Sequence, residues 1–497
     1  MSDRLDLLLV FPNNRARAYG TLASDIAAIT PPVQAGLTAA YVREQGYTVD
    51  ILDADADNLD AAQTAQRIRE IDPRVAIVCT DHVNSGDVTK MAAASELLTR
   101  LREQGNTVPI MLEGVVPTAY PEQMLRNEGA DLICEGEAFT PVIELLQHLK
   151  EKGWATRLEE NQIVGVWARY GNDVVRSVRA PLFRNVDELP MTAWDLIPPH
   201  KYRAHIWQCF DDLSKRSPYA TLATNYGCPY GCTFCSVNVV AGGSNFRPRS
   251  PEKVLDEIDY LVHEHGVRTI RLLDNVFTIR LDLAEQICDM IIERGYDLNM
   301  WAYARVESIK HIDILHKMKR AGINWLVYGI ESASERVRVG VDKGSREQSI
   351  HEALHWTQEA GINILGNFIF GLPGDDYEAM QMSYDMAVEY NFEWANFYCA
   401  MAYPGTALHE QALKEGIALP PTWSGYGHFS PDAWPLSTEH LKPHEILRFR
   451  DEKVQEYFAR PEYLRMMEKK FGPEIVAYIQ EIYSIPIPRN YPSETAV

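Results

Sequence analysis

Two stretches of the chain alternate apolar runs of strand length with helical patterns, and this alternation constrains the fold most strongly. Residues 1–150 contain five such repeats, and residues 216–408 contain six. In a strand–helix–strand unit the helix returns the chain to the same end of the sheet, so successive strands run parallel. The first stretch therefore predicts a doubly wound, Rossmann-like parallel sheet, and the class of the whole chain is α/β.

The remaining segments do not continue the alternation. Residues 151–215 predict a connector with a β-hairpin, because Tyr170-Gly171-Asn172 separates two β-prone runs. Residues 409–497 carry three helical patterns and predict a mostly helical C-terminal segment. Whether that segment is a packing cap or closes a pocket is left open by its pattern. Because 497 residues are too many for one core, we expect four consecutive units: 1–150, 151–215, 216–408 and 409–497.

Charge and composition argue against several classes of protein. The formal net charge of −21 opposes binding to the phosphate backbone of a nucleic acid. No apolar run reaches the roughly 18 residues of a membrane-spanning helix, and the N-terminus lacks the basic region of a signal peptide. Five of the eight cysteines are dispersed, which is typical of reduced thiols. We therefore expect a cytoplasmic protein that binds neither nucleic acid nor membrane.

The other three cysteines, Cys228, Cys232 and Cys235, share one loop with the spacing C-x-x-x-C-x-x-C. Three thiolates on one loop suit a four-iron four-sulfur cluster in which one iron keeps an open position. A zinc site would need a second cysteine pair or suitably spaced histidines, and the chain offers no such pair. Incidental burial is the weaker alternative, because thiolates at metal-ligand spacing seldom arise by chance. We therefore predict that these cysteines bind an iron–sulfur cluster.

Polar and glycine residues follow the strands of the first stretch, at the edge where doubly wound sheets bind ligands. Neither the G-x-G-x-x-G pattern of dinucleotide-binding domains nor the G-x-x-x-x-G-K-[ST] pattern of P-loop proteins occurs in the chain. We therefore expect neither of those ligands at this edge. The candidate contacts at the strand ends are Asn13, Thr80, Asp81, Glu113, Gly114, Glu135 and Gly136.

The cysteine loop resembles the signature of the radical S-adenosylmethionine (SAM) enzymes, with Phe234 as the aromatic residue before the last cysteine. The resemblance implies a four-iron cluster whose fourth iron is chelated by SAM. It also implies an open (β/α)6 partial barrel over residues 216–408, since six strands are too few for a closed eight-stranded barrel. The cysteine loop follows the first of these strands. The cluster should therefore lie at the carboxyl end of the barrel, where parallel barrels keep their active sites.

Residues at the ends of later barrel strands resemble the SAM-binding motifs of the same family. Asp274-Asn275 resembles the motif that binds the SAM amino group, and Gly329-Ile330-Glu331-Ser332 matches another motif. Arg305 could reach the SAM carboxylate. Two of these residues also have structural alternatives, a strand-end ion pair for Arg305 and a helix cap for Ser332. The candidate SAM contacts are Phe234, Asp274, Asn275, Arg305, Glu331 and Ser332.

The first stretch resembles the cobalamin-binding domain that precedes many radical SAM barrels. The resemblance rests on Pro31-Pro32, residues 41–47, Glu113-Gly114 and Glu135-Gly136-Glu137, in that order. It implies that the strand-end residues named above contact cobalamin. The chain lacks the D-x-H-x-x-G pattern whose histidine ligates cobalt in some cobalamin proteins. His82 follows a strand and could approach the corrin, although a polar loop residue is its more ordinary role.

Together the two resemblances imply a cobalamin-dependent radical SAM enzyme that uses a 4Fe-4S cluster, SAM and cobalamin. The expected activity is methyl transfer from methylcobalamin to an unactivated carbon, after a 5′-deoxyadenosyl radical has taken a hydrogen atom. One alternative is a non-methylating cyclase or rearrangement enzyme, and another is an iron–sulfur binding protein without turnover. The expected partners are a small-molecule substrate and an electron donor such as flavodoxin or ferredoxin.

Overall fold

The computed structural model describes residues 4–15, 17, 27–80 and 88–490 of the chain. Two large sheets dominate these residues, one in each stretch that alternates in sequence. Within the same ranges, no helix is both long and apolar enough to cross a membrane.

The N-terminal sheet begins with five parallel strands, as predicted. They are β1 (Leu7–Phe11), β2 (Val49–Asp53), β3 (Val75–Cys79), β4 (Ile110–Glu113) and β5 (Leu132–Cys134), in spatial order β2-β1-β3-β4-β5. Every residue of β1 and β3 is buried, and alternate residues join different apolar clusters on the two faces. Helices on both faces of a doubly wound sheet produce this two-sided burial. These helices span Val33–Glu44, Ala61–Ile71, Lys90–Glu103, Val115–Ala119, Pro121–Asn127 and Phe139–Lys152.

A hairpin from the connector extends the N-terminal sheet. β6 (Val166–Tyr170) pairs antiparallel with β5, and β7 (Asp173–Val175) pairs antiparallel with β6. Gly171 in the turn has a φ of +64°, a left-handed conformation that glycine adopts without steric cost. The complete sheet therefore has seven strands, and its last two run antiparallel to their neighbours.

The second sheet is the predicted six-stranded partial barrel. In spatial order its parallel strands are β8 (Tyr219–Leu222), β11 (Thr269–Leu272), β12 (Asn299–Ala304), β13 (Ile323–Glu331), β14 (Asn363–Phe370) and β15 (Trp394–Cys399). Neighbours in space are neighbours in this series, so each strand–helix unit adds one strand to the wall. A short antiparallel ribbon, β9 (Asn225–Tyr226) with β10 (Arg247–Pro248), flanks the cysteine loop. The helices between barrel strands span Pro251–His265, Leu281–Arg294, Ile312–Arg320, Glu335–Gly340, Glu347–Glu359 and Tyr377–Tyr390, and Ala407–Glu415 follows β15.

Aromatic side chains close the amino end of the barrel. Trp207 of the connector lies edge-on to Trp301 and Trp325, with ring centroids 5.2 and 5.0 Å away. Trp325 also faces Phe471 of the C-terminal segment in a nearly parallel arrangement. The barrel therefore has a packed floor at its amino end, opposite the carboxyl ends of the strands.

Three C-terminal helices, Pro443–Ala459, Pro461–Phe471 and Pro473–Tyr483, confirm the predicted helical segment. The Tyr457 hydroxyl donates to the Phe392 carbonyl, 2.8 Å away, just before β15. The Phe458 ring contacts Trp394 and stacks on Tyr483, with centroid distances of 5.1 and 3.9 Å. These helices thus cover the last barrel strand.

Candidate active site

One cavity of about 580 Å³ lies between the carboxyl ends of the two sheets. Its N-terminal wall comes from the loops after β1 and β2 and from the start of the helix at Lys90. Its barrel wall comes from the cysteine loop and from the ends of β11 to β15. The candidate cluster loop and the candidate cobalamin edge therefore face a common space.

Charged and hydrogen-bonded side chains hold the two walls together. Arg247 beside the cysteine loop forms an ion pair with Glu137 of the N-terminal sheet at 2.5 Å, and both side chains are largely buried. The Trp423 indole donates to the Glu128 carboxylate, 2.9 Å away, on another side of the interface. These contacts fix how the N-terminal edge faces the mouth of the barrel.

The three cysteines of the loop all line the cavity, and each is partly exposed. Within the described ranges, no three His, Cys, Asp or Glu side chains converge as the ligands of a single metal ion do. A four-iron cluster asks for a different arrangement, with one thiolate on each of three irons. Burial raises the pKa of the Cys228 thiol. A bound cluster would supply the positive charge that a buried thiolate needs, so the donor set fits this cofactor.

The cysteine loop begins with a tight turn that its sequence dictates. Gly227 has a φ of +81°, and a side chain at this position would collide with Asn245. Asn238 then bridges the loop, because its Oδ1 accepts from the Cys228 N–H at 3.3 Å and its Nδ2 donates to the Tyr230 carbonyl at 2.9 Å. The turn at Gly227 and the hydrogen bonds of the Asn238 side chain therefore fix the position of the first cysteine.

Phe234, the predicted aromatic of the signature, anchors the middle of the loop. Its ring packs against an apolar cluster that contains Val341 and Leu408, and it also lines the cavity. Beside it, the Thr233 N–H donates to the Val341 carbonyl, and the Leu408 N–H donates to the Thr233 carbonyl. The loop is thus fastened to segments that follow β13 and β15.

Arg305, at the end of β12, lies against the cysteine loop. Its Nη1 is 3.7 Å from the Cys232 sulfur, and its guanidinium lies 3.9 Å from the Tyr230 ring centroid. It is also paired with Glu307 at 3.1 Å. Arg305 therefore forms the predicted strand-end ion pair and also lies beside the candidate cluster loop. The charge of Arg305 offsets part of the rise that burial causes in the pKa of the Cys228 thiol.

Glu331, the last residue of β13, has a backbone conformation that is uncommon for residues other than glycine. Its φ is +67°, and the strand register shifts between Gly329 and Glu331. The carboxylate pairs with Lys343 at 3.1 Å, and both residues line the cavity while remaining buried. A side chain at Gly329 would collide with this carboxylate. Backbone of this kind persists at sites where it aims a functional group.

Asp274 and Ser332 are buried away from the cavity wall. The Asp274 carboxylate accepts from the Thr224 N–H at 2.6 Å and from the Asn225 N–H at 3.0 Å, and it is 1% exposed. Ser332 is fully buried, and its Oγ accepts from the Ser334 N–H at 3.2 Å. Of the predicted pair 274–275, Asn275 is the residue that lines the cavity.

The predicted residues after β1 and β3 are set just behind the cavity wall. The Asn13 amide donates to the Leu59 carbonyl at 3.2 Å. The Thr80 hydroxyl donates to the carbonyl of Glu113 at 2.6 Å, which ties the ends of β3 and β4 together. The Glu113 side chain is 3% exposed. Two further candidates, Asp81 and His82, lie outside the described residues.

The candidates after β4 and β5 shape the same edge. Gly114 and Gly136 have φ values of +125° and +105°, which side chains rarely allow. The Gly136 N–H donates to the Thr118 hydroxyl at 3.2 Å. The Glu135 carboxylate accepts from the Trp167 indole at 2.7 Å. These residues build the edge, and the cavity itself is lined by residues of the other loops.

Asn14 lines the cavity, whereas the sequence predicted its neighbour Asn13 as the contact at this strand end. It is 6% exposed, and its Nδ2 donates to the Thr89 hydroxyl at 3.0 Å. Its Oδ1 has no hydrogen-bond partner among the described residues, which suits a ligand that donates hydrogen bonds. Arg15 and Asp55 pair beside it at 3.5 Å. Cobalamin, whose periphery carries amide groups, would find both donors and acceptors here.

His428, from the C-terminal segment, also lines the cavity and was not predicted. Burial lowers its pKa to about 3, with the charges of Arg450 and Arg489 adding to the effect, so the ring is neutral. The Cys399 N–H donates to Nδ1 at 3.5 Å, and Nε2 lies 3.2 Å from the Tyr403 hydroxyl oxygen. This pattern assigns the proton to Nε2, which then donates to Tyr403. A lone histidine in an irregular segment carries no spacing signal that could have marked it.

Two family models match the two parts of the chain that supply the cavity walls. The model described as "Radical SAM superfamily" matches residues 222–387, and the model described as "B12 binding domain" matches residues 20–146. An uncharacterized methyltransferase of Pyrococcus horikoshii is 28% identical over 464 residues, 93% of this chain and 94% of that protein. The anaerobic magnesium-protoporphyrin IX monomethyl ester cyclase of Cereibacter sphaeroides is 27% identical over 418 residues, 83% of this chain and 64% of the cyclase.

A solved structure has the same architecture. The radical SAM methyltransferase TsrM of Kitasatospora setae, with cobalamin and a [4Fe-4S] cluster bound, aligns with a TM-score of 0.66 at 17% identity. The alignment covers 92% of this chain and 89% of TsrM. The chain therefore belongs to the radical SAM enzymes that carry a cobalamin-binding domain. The predicted 4Fe-4S cluster, SAM and cobalamin are the cofactors of this family.

Proposed function

We propose that this enzyme transfers a methyl group to an unactivated carbon of a small molecule. The observation that carries the proposal is the cavity that the cysteine loop shares with the edge of the B12-binding domain. When bound, cluster and SAM supply a 5′-deoxyadenosyl radical, and cobalamin supplies the methyl group. A shared cavity lets one substrate contact both cofactors, and the similarity to an uncharacterized methyltransferase along 93% of the chain supports methyl transfer.

In this proposal the cavity residues divide into three groups. Cys228, Cys232 and Cys235 would hold the cluster, and Arg305 would offset the negative charge of their sulfurs. On the barrel wall, Glu331 and Asn275 would bind SAM, and Phe234 would pack beside it. On the opposite wall, Asn14 and Arg15 would contact the corrin. Asp274, Ser332, Asn13, Thr80, Glu113, Gly114, Glu135 and Gly136 would shape the loops that carry these contacts, and Asp81 remains a candidate at the same edge.

The C-terminal segment would complete the cavity and limit the entry of water. His428 and Tyr403 form a neutral, hydrogen-bonded pair on the barrel side of the space. A neutral pair neither attracts water as strongly as a charge nor donates a proton readily at neutral pH. Such a wall suits a closed site that keeps solvent away from reactive intermediates.

We also propose that the cluster receives electrons from a small carrier such as flavodoxin or ferredoxin, in a reducing cytoplasm. The Tyr230 side chain, inside the cysteine loop, is 36% exposed, so the loop comes near the protein surface. Reduction of a cluster by a docked carrier requires such an approach. Reduced cysteines at positions 79, 134, 209, 288 and 399 agree with a reducing compartment.

Purification without oxygen tests the proposed function. We expect the protein to hold corrin and iron–sulfur absorbance together, and to form 5′-deoxyadenosine from SAM when reductant is added. A variant with Cys228, Cys232 and Cys235 all changed to serine should keep the corrin and lose both the cluster and deoxyadenosine. A protein that binds no corrin would contradict the proposal, although its barrel could still cleave SAM.

A non-methylating reaction with the same cofactors is the second candidate, because the Cereibacter sphaeroides cyclase is 27% identical over 83% of this chain, although over only 64% of the cyclase. The two candidates differ in what becomes of the SAM methyl group. With deuterated-methyl SAM, a methyltransferase releases labelled product, whereas a cyclase releases deoxyadenosine and an unlabelled, oxidised or rearranged product.

A further inference from the structure

Two asparagines on neighbouring barrel strands form a hydrogen-bonded pair beside the cavity. Asn367 of β14 and Asn396 of β15 face each other in register, and Nδ2 of Asn396 lies 3.0 Å from Oδ1 of Asn367. Asn367 lines the cavity, whereas Asn396 is not among its lining residues. Neither position belongs to the cysteine loop or to the predicted SAM contacts, so the pair has no role in the function described so far.

The direction of this hydrogen bond is fixed by a third residue, Trp394. An indole N–H donates a hydrogen bond and cannot accept one. The Trp394 indole lies 3.1 Å from the side-chain amide of Asn396, so the atom that faces the indole must be the amide oxygen. The NH2 group of Asn396 therefore faces Asn367 and donates to the oxygen of that residue. The oxygen of Asn367 is thus used within the wall, and its NH2 group is the end that remains for the cavity.

The NH2 group of Asn367 makes no hydrogen bond to any of the residues that the structure describes. Rotating the amide by half a turn would place this NH2 group against the NH2 group of Asn396, so the donor cannot be withdrawn without breaking the relay. A donor that is partly shielded from water and lacks an acceptor costs free energy. An oxygen atom of a bound ligand would remove that cost.

The position of Asn367 in the barrel favours the substrate as the source of this oxygen. Asn367 pairs in register with Gly329, and the proposed SAM contact Glu331 lies further along β13 toward the mouth of the barrel. The next lining residue on β14 is Ile369, which pairs in register with Tyr398 of β15. An apolar side chain and an aromatic ring beside the donor limit the competition from water, which strengthens a hydrogen bond to a neutral oxygen.

We propose that Asn367 determines which substrates the enzyme accepts, by donating a hydrogen bond to an oxygen atom of the substrate such as that of a carbonyl group. A molecule without an acceptor at this point leaves the donor unpaired, and sites built around such a bond discriminate strongly against it. Asn396 is then a positioning residue, because it holds the NH2 group of Asn367 toward the cavity. The inference rests on the proposed function, because it takes the space inward of Glu331 to be the substrate site. It adds a chemical feature of the substrate that no motif in the sequence specifies.

Binding of two matched probes to the holoenzyme tests this inference without turnover. Acetophenone has a carbonyl oxygen that only accepts hydrogen bonds, and indole, with the same number of non-hydrogen atoms, has an N–H that only donates. Protein loaded with cluster, cobalamin and SAM is titrated with each probe by calorimetry, without reductant. We expect the wild type to bind acetophenone more tightly than indole. Asn367→Leu, which keeps the shape of the side chain, should weaken acetophenone binding roughly tenfold and leave indole binding unchanged.

Two further variants separate the proposed contact from general damage to the barrel. Asn396→Leu should weaken acetophenone binding by a smaller factor, because the Asn367 amide can then turn its oxygen toward the cavity. Asn324→Leu is the matched control, since it breaks a similar relay at the amino end of the barrel, in which Asn324 donates to Asn299 at 3.1 Å. This control should change the binding of neither probe, and all three variants should keep the corrin and cluster spectra of the wild type.

Three results would decide against one or other of the two proposals. Acetophenone that does not bind the wild type, or that binds Asn367→Leu as tightly as the wild type, would overturn the inference. A fall in the affinity for SAM or cobalamin in Asn367→Leu would assign the donor to a cofactor and would overturn it as well. Wild-type protein that binds acetophenone as expected but forms no deoxyadenosine with reductant would instead count against the proposed function.

Discussion

At the scale of single residues, neighbouring positions in one motif have different surroundings. The sequence motif 274–275 contains a buried carboxylate that organises a turn and an amide that lines the cavity. Glu331 and Ser332 divide in the same way. Motif matching located both strand ends correctly. It could not separate the two members of each pair, because the direction of a side chain at a strand end depends on local φ and ψ, such as the positive φ of Glu331.

The pair Glu331 and Ser332 provides the first test at this scale. Glu331→Gln removes a carboxylate that would bind SAM by a charge-assisted hydrogen bond. We expect the dissociation constant for SAM to rise roughly tenfold while the cluster spectrum is unchanged. Ser332→Ala is the control, because it should lower the melting temperature without weakening SAM binding. The reverse pattern, with SAM binding lost only in Ser332→Ala, would reject this assignment.

Cysteine substitutions test the cluster loop at the same scale. Cys232→Ser removes the thiol that lies beside Arg305, and we expect most of the cluster absorbance and iron content to be lost. Cys288→Ser, on a buried helix position remote from the loop, should keep the full iron content. Equal iron content in the two variants, measured after anaerobic reconstitution, would show that Cys232 is not a ligand.

At the scale of elements, the regular repeats were predictable and the irregular segments were not. The alternation of strand-length and helical patterns predicted five strands in the first stretch and six in the second, because burial on a sheet or helix imposes a period on the sequence. The hairpin 166–175 was predicted from its turn, but its pairing with β5 was not, since strand partners leave no local signal. The segment around His428 has no period at all, so its contribution to the cavity could not be foreseen.

Arg489 provides a test of that irregular segment. Its guanidinium donates to the carbonyls of Ser430 and His428 at 2.7 and 2.8 Å and pairs with Asp451 at 2.8 Å. Arg489→Met should lower the free energy of local opening by roughly 2 kcal/mol, so amide exchange near His428 should rise about thirtyfold. Arg465→Met, at an exposed position of a C-terminal helix, should leave this exchange unchanged. Unchanged exchange in Arg489→Met would mean that other contacts hold the segment.

At the scale of the whole molecule, the predicted order of cofactor domains agrees with the arrangement of the two sheets around one cavity. Sequence patterns predicted two parallel sheets and the edges that carry ligands. How the sheets face each other depends on contacts between residues far apart in the chain, such as Arg247 with Glu137, and no local pattern encodes them. The three domain boundaries stay a prediction. The hairpin 166–175 pairs with β5 across the first of them, so the boundary at residue 150 needs a direct test.

Asp53 links the N-terminal sheet to the connector and predicts how stability changes with pH. Burial raises its pKa to about 6, with nearby Asp55 and Asp57 adding to the shift, although its carboxylate accepts a hydrogen bond from the Tyr202 hydroxyl at 2.9 Å. The folded protein therefore binds this proton more tightly than the unfolded chain does. The contribution of Asp53 to stability is full below about pH 4 and is lost as the pH rises through about 6.

Asp53→Asn removes this titration and keeps the shape of the side chain. Relative to the wild type, the free energy of unfolding of the variant should rise by roughly 2 kcal/mol between about pH 4 and pH 7. Thermal denaturation of both proteins across this range measures the difference. A difference that stays constant with pH would show that Asp53 titrates normally in the folded protein.

The most direct measurement of the central claim follows the methyl group of SAM and needs no knowledge of the substrate. Anaerobic protein with reduced cobalamin and cluster is mixed with deuterated-methyl SAM, and the corrin is then extracted and analysed by mass spectrometry. The account predicts corrin that carries the deuterated methyl group, in stoichiometric amount with the protein. Corrin that stays unlabelled, in protein that still forms 5′-deoxyadenosine, would contradict methyl transfer and favour the non-methylating reaction.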